Sequence, residues 1–205
     1  MNIEEVIEMF SDRQQQIVET AIKLIADKGI QNLTTKNLAK EIGISEPALY
    51  RHFSNKLEIL KAVITNFQIK MKPALEKLKE SISSIDKIKS FILEHLKIIS
   101  QNPDFAKVIF SEANFQNEEN LILKMNNIMN QSHKILETVV QFGQSNNEIR
   151  NDVSSLSIVR IIIGSMRLLV TQWSMSGMIF NLETEGKQFC DDMKKLIVAE
   201  QFFLN

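Results

Sequence analysis

The side chains best suited to recognition chemistry fall within one short stretch, residues 34–56, which reads TTKNLAKEIGISEPALYRHFSNK. Arg51 carries a planar fork of donors that matches the two acceptors of guanine, and its neighbour Tyr50 can bond a phosphate oxygen. Glu46 can accept from the amine of cytosine, or it can simply repel phosphate. Lys56 follows Ser54 and Asn55 where a further helix opens, so free amides and an ammonium suit a second phosphate. The stretch holds four basic side chains, Lys36, Lys40, Arg51 and Lys56, against Glu41 and Glu46. That local excess contrasts with a whole-chain net charge of −1, and residues 1–33 hold three basic against six acidic side chains. Glu4, Glu5 and Glu8 make the N-terminal arm a poor reader of a minor groove.

These groups need two short helices to present them. Thr34 is placed to cap the first, whose Leu38, Ala39 and Ile42 form one apolar face. Gly43 sits where the helix end needs a left-handed residue, and Ser45 is a cap for the second helix. Pro47 is tolerated in that helix's first turn, where its missing N–H would have no partner. Leu49 and Phe53, four apart, turn inward, which leaves Glu46, Pro47, Tyr50 and Arg51 facing out. Ala39 is small enough to let the helices cross closely. The result is a helix-turn-helix, a unit that carries its second helix into the major groove of DNA.

Residues 13–60 resemble the N-terminal domain of the TetR family of bacterial transcriptional regulators. The strings are RQQQIVETAIKLIADKGI and TTKNLAKEIGISEPALYRHFSNKLEIL, with Lys28-Gly29 stopping a first helix and Leu-Tyr-x-His-Phe ending the recognition helix. The resemblance implies phosphate contacts from Thr34 or Thr35, Tyr50 and Lys56. It implies base or groove contacts from Ser45, Glu46, Pro47 and Arg51, with His52 at the margin. The pair Glu46-Pro47 departs from the commoner Lys-Gly, so no base preference is carried over. A small-molecule effector bound among the middle helices is also implied.

The remainder reads as all-α, with about nine helices in total. Helical runs are expected at about 11–28, 54–80, 85–100, from 103, 118–144, 153–180 and 185–203, with a kink or break at Pro73. The expected division is an N-terminal three-helix helix-turn-helix DNA-binding domain over 1–56 and a larger helical-bundle domain for ligand binding and dimerisation over 57–205. Low glycine and proline counts and the lack of alternating apolar runs exclude a β architecture. The single cysteine, Cys190, fits a reducing cytoplasm and a packing role. No export signal opens the chain. Arg160 and Arg167 interrupt its most apolar region, so no membrane span of ~20 uninterrupted apolar residues is expected.

The second domain offers no catalytic constellation. His52, His95 and His133 share no metal-ligand spacing with one another or with Cys190, and phosphate-binding and nucleophile motifs are missing. Neither a metal nor a cofactor is expected. What the domain does hold is soft apolar side chains: Phe67, Met71, Phe91, Phe110, Met125, Met129, Met166 and Trp173. Such residues line an apolar cavity or fill a core, and His95, His133, Arg160 and Arg167 are the polar groups able to orient a ligand. The run around Ile158, Ile161, Ile162, Ile163, Leu168 and Val170 is apolar nearly all round and needs cover on every side. Ile161, Gly164 and Leu168, with Phe189, Met193 and Leu196 of the last helix, suggest an isologous four-helix contact between two copies. The expectation is a cytoplasmic homodimeric repressor released from a palindromic double-stranded DNA operator by a largely apolar ligand. Two alternatives stand beside it. One is a DNA-binding protein whose second domain contacts a protein, as in the nucleoid-occlusion branch; the other is an enzyme that retains a helix-turn-helix-like hairpin.

Overall fold

The computed structural model describes residues 10–109 and 118–199. Nine α-helices and no strand occur among them: α1 (Asp12–Lys28), α2 (Thr35–Ile42), α3 (Glu46–Tyr50), α4 (Lys56–Lys77), α5 (Ser84–Gln101), α6 (Pro103–Ile109), α7 (Glu119–Ser145), α8 (Ser155–Met175) and α9 (Leu182–Ile197). The all-α expectation is met. Residue 110 and the N-terminal arm lie outside the described residues, as does the end of the helix expected to reach 203.

The helices start where their caps are. Ser11 and Gln14 form a reciprocal capping box at α1, and Thr34 and Ser45 cap α2 and α3 by accepting from Asn37 N and Ala48 N at 3.1 and 3.3 Å. Ser83, Ser154 and Asn181 do the same for α5, α8 and α9. Asn55 Oδ1 accepts from Glu58 N at 3.0 Å where α4 begins. Asn102 instead turns back, its side-chain amide donating to Ile98 O at 2.8 Å, so it closes α5 while Pro103 opens α6.

Pro73 does not break α4. Its ring nitrogen has no hydrogen for the Ile69 carbonyl, yet the helix continues to Lys77, with Ala74 and Leu78 buried immediately beyond the proline. Burial of that apolar face offsets the one lost bond. At the other end of the chain α8 stops earlier than expected, because Gly177 and Met178 take positive φ values of 73° and 65°. The indole of Trp173 then donates to Phe180 O at 3.0 Å and ties down the turn.

The chain divides into two compact units. One comprises the described residues up to Lys70 together with those from Asp104 to Met125; the other comprises Met71–Pro103 and the described residues from Asn126 onward. The first unit thus extends beyond residue 56, taking in most of α4, α6 and the start of α7. In it Ile17, Val18, Ala21, Leu38, Leu49 and Ile64 form the core, and Phe67 meets Phe105 edge-on at 5.6 Å.

The second unit centres on α5, which packs along α9. Gly186 permits this, since a Cβ there would lie 2.5 Å from Leu96 Cδ1. Cys190 is buried against the same helix, its Sγ 3.9 Å from Lys89 O, and burial pushes the thiol up to about 11. By length and composition α8 is the one described helix apolar enough to cross a membrane, despite its two arginines. Here one of its faces, Ile158, Val159, Ile162, Met166, Val170 and Trp173, is buried within the unit.

Candidate nucleic-acid interface

Three helices of the first unit fix the recognition surface. Gly43 at φ 78°, ψ 35° makes the left-handed turn that lets α3 cross α2, and Ala39 is buried beneath it. Leu49 is fully buried and Phe53 nearly so, which rolls the opposite side of α3 outward. Pro47, Tyr50 and Arg51 are accordingly exposed, as are Thr34 and Ser45, whereas Thr35, Glu46, His52 and Lys56 are half-buried. None of the nine residues expected to meet DNA is fully buried, and their jobs within the protein differ.

Thr34 and Ser45 already use their hydroxyls as caps. Thr35 donates to Glu46 Oε2 at 2.8 Å and accepts from the Tyr50 hydroxyl at 3.4 Å, so these three side chains form a short chain across α2 and α3. Lys56 Nζ donates to Ile30 O at 3.4 Å, and Gln14 Nε2 donates to His52 O at 3.3 Å, which fastens the end of the recognition helix to α1. Lys28 and Glu41 pair at 3.6 Å on the surface, so that acidic group is partly offset. Lys36, Lys40 and Arg51 remain exposed cations around α2 and α3. The Thr35–Glu46 bond joins residues eleven apart on two helices, and neither residue type nor spacing announces it.

Comparison with known proteins decides what this surface belongs to. Residues 17–63 match the family described as "Bacterial regulatory proteins, tetR family", and residues 63–199 match "YsiA-like protein, C-terminal region". The chain belongs to the tetR family. It is 26% identical over 174 residues to a fatty acid metabolism regulator protein of Bacillus subtilis, covering 83% of this chain and 88% of that one. A nucleoid occlusion factor, SlmA of Haemophilus ducreyi, is 31% identical over 112 residues, a match to about half of each protein (53% and 55%). Among solved structures, the B. subtilis regulator FadR in complex with stearoyl-CoA superposes with a TM-score of 0.78 at 23% identity, over 87% of this chain and 96% of that one. The Mycobacterium tuberculosis ketosteroid regulator KstR2 gives the same TM-score at 18% identity, over 93% and 97%. The molecule is a tetR-family transcriptional regulator with a helix-turn-helix DNA-binding head.

The residues expected to meet an effector are divided between the two units of this tetR-family chain. Phe67 and the half-buried Met125 belong to the first unit, and Phe110 lies outside the described residues. Met71, Phe91, Met166 and Trp173 are buried in the second unit, whereas Met129 is 36% exposed and Arg167 half-buried. Trp173 has committed its N–H to Phe180 O, so it has no donor left for a ligand. His95 stands tilted against Phe91, ring centroids 5.9 Å apart. It keeps some accessible surface, yet the surrounding protein pushes its pKa down to about 4. Burial also lowers His133. Among the described residues no three His, Cys, Asp or Glu side chains gather to hold a metal.

Of the residues expected at a subunit contact, all but one are exposed or half-buried. Ile161 and Leu168 are 46% and 58% exposed, and a Cβ added at Gly164 between them meets nothing within 4 Å. Leu196 is 59% exposed and Phe189 half-buried on α9. Met193 is buried within the unit, because its side of α9 is the packed one. Sequence reading missed Met175, which lies seven residues beyond Leu168 at the end of α8, and Ile179 in the turn that follows, each 83% exposed.

Proposed function

We propose that the protein is a homodimeric repressor that a long-chain acyl thioester, or a ligand of similar apolar character, releases from a palindromic operator. The observation carrying this reading is the outer stripe of α8, Ile161, Gly164, Leu168 and Met175, which leaves large apolar side chains in water along one side of the helix. A second copy covers such a stripe by an isologous contact, and pairing presents two recognition helices to half-sites ~34–36 Å apart. The ligand class draws on the similarity to the B. subtilis fatty acid metabolism regulator over most of both chains, on the stearoyl-CoA bound to FadR, and on the soft apolar side chains buried in the second unit.

In this reading the ligand displaces α4, which passes from the first unit into the second between Lys70 and Met71, with Pro73 just beyond. Pro73 removes one backbone hydrogen bond from that turn, which is where the displacement would pivot. A ligand that favours the released state tenfold supplies ~1.4 kcal/mol per site. The alternative, a second unit that contacts a protein, draws on the nucleoid occlusion factors, whose matches stop at about half of either chain.

The test is a duplex selected from a random pool, titrated with the full chain and then with stearoyl-CoA, free CoA or stearate. Release by the acyl thioester alone, from a species of twice 23.6 kDa, is the expected result. A complex indifferent to all three ligands overturns the ligand class, and a monomer on DNA overturns the dimer.

A further inference from the structure

The chain Tyr50–Thr35–Glu46 gives the recognition surface a property that the resemblance to other family members does not carry, since Glu46-Pro47 departs from their commoner pair. A carboxylate on a surface that meets phosphates is electrostatically unfavourable unless something else gains from it. Here the carboxylate is also held. Thr35 Oγ1 donates its hydrogen to Glu46 Oε2 at 2.8 Å, which commits one oxygen and sets the plane of the group. The other oxygen has only acceptor capacity to offer. Tyr50 in turn donates to Thr35 at 3.4 Å, and because Thr35 keeps its own hydrogen on Glu46, Tyr50 can turn away to a phosphate without loosening the carboxylate.

We infer that Glu46 is a specificity-determining residue for cytosine, and that Thr35 is its positioning residue and not a phosphate contact. This rests on the proposed reading of DNA by α3. In the major groove, guanine and thymine present acceptors that a carboxylate repels. The adenine amine lies between two acceptors of its pair, N7 and thymine O4, whereas the cytosine amine has an acceptor, guanine O6, on one side only. A fixed, acceptor-only oxygen therefore ranks cytosine first. Glu46 lies one turn of helix from Tyr50, so the cytosine it reads lies close to the backbone phosphate that Tyr50 meets.

The experiment is selection of duplexes by the full chain from a random pool, followed by titration of four duplexes that differ at the one position sensitive to Glu46. The parent is expected to prefer cytosine about 10-fold. Glu46→Gln is expected to invert the order, because Thr35 would hold the amide oxygen and turn the NH₂ outward, toward bases that present acceptors. Thr35→Val is expected to shrink the cytosine preference at least threefold, and Thr35→Ser to restore it. If Glu46→Gln and Glu46→Ala change affinity equally for all four duplexes, the carboxylate acts only as a charge and the inference is overturned. If Thr35→Val keeps the full preference, the positioning role is overturned. A parent that selects no duplex overturns the regulator reading itself, which is a different failure.

Discussion

The outward faces of α3 and α8 are both incomplete surfaces, and they are incomplete in opposite ways. On α3 the exposed groups are a guanidinium, a phenol and a half-buried carboxylate held by a threonine hydroxyl at 2.8 Å. On α8 they include Ile161, Leu168 and Met175 around a glycine with open space above it, with Arg160 and Gln172 at the margins. The first asks for a partner with directional donors and acceptors and a negative backbone. The second asks for any surface of complementary shape that removes it from water, and a second copy of itself supplies that. In the proposed reading the apolar face sets the distance between two heads, and the polar face reads what lies at that distance.

A charge on the apolar face should break this arrangement most severely. Leu168→Glu is expected to weaken self-association by about 3–5 kcal/mol, the cost of leaving an unpaired charge in an interface, as read by sedimentation equilibrium. Helical content should stay unchanged, because Leu168 is already 58% exposed. An undisturbed dimer would move the contact elsewhere on the molecule.

Next in size is the polar face. Arg51→Ala is expected to cost about 1–3 kcal/mol at one base pair and to relax preference there. Equal losses on every duplex would show that Arg51 contacts only the backbone.

The second unit also carries a pH dependence. Burial pushes His95 down to about 4 from an ordinary 6.5, so the unfolded chain takes up the proton first and stability falls as pH drops from 6.5 toward 4. Between pH 7 and pH 5 the loss is expected to be about 2 kcal/mol in urea unfolding, and His95→Phe should abolish most of it. A parent with a flat profile over that range would place the imidazole in water.

The smallest effect expected is for Lys56→Ala, which should weaken binding to all duplexes alike and lower the salt dependence by about one counterion. The residue is already tethered to Ile30 O at 3.4 Å, so a sequence-dependent loss would mean that it orients the head instead.

How far these surfaces could be read in advance depended on the range of the interactions that build them. Local signals carried well: Thr34 and Ser45 cap as expected, Gly43 is left-handed, and Leu49 and Phe53 point inward. On α8 the expected contact residues Ile161 and Leu168 are exposed, but a run apolar nearly all round did not separate the outer face from the buried one, and Met175 went unread. Met193 shows the same limit, since periodicity places it on an apolar side of α9 without saying whether the side meets α5 or a second copy. Pairings between elements were invisible. Nothing local links Thr35 to Glu46, or Gln14 to the His52 carbonyl, and both depend on how helices cross. Of the kink or break expected at Pro73, the break does not occur: α4 runs on to Lys77, with Ala74 and Leu78 buried beyond the proline.

The claim that one face spaces what the other reads is tested most directly by Gly164→Glu on a selected palindromic duplex. The substitution adds a side chain into open space and leaves the head untouched, so the isolated fold should be at least as stable as the parent's. Binding is measured by anisotropy on the full palindrome and on a single half-site, for parent and variant. The account predicts that the parent gains at least 100-fold from the second half-site and that the variant loses that gain while keeping its half-site affinity. A variant that binds the palindrome as tightly as the parent, with two chains per duplex, would contradict it.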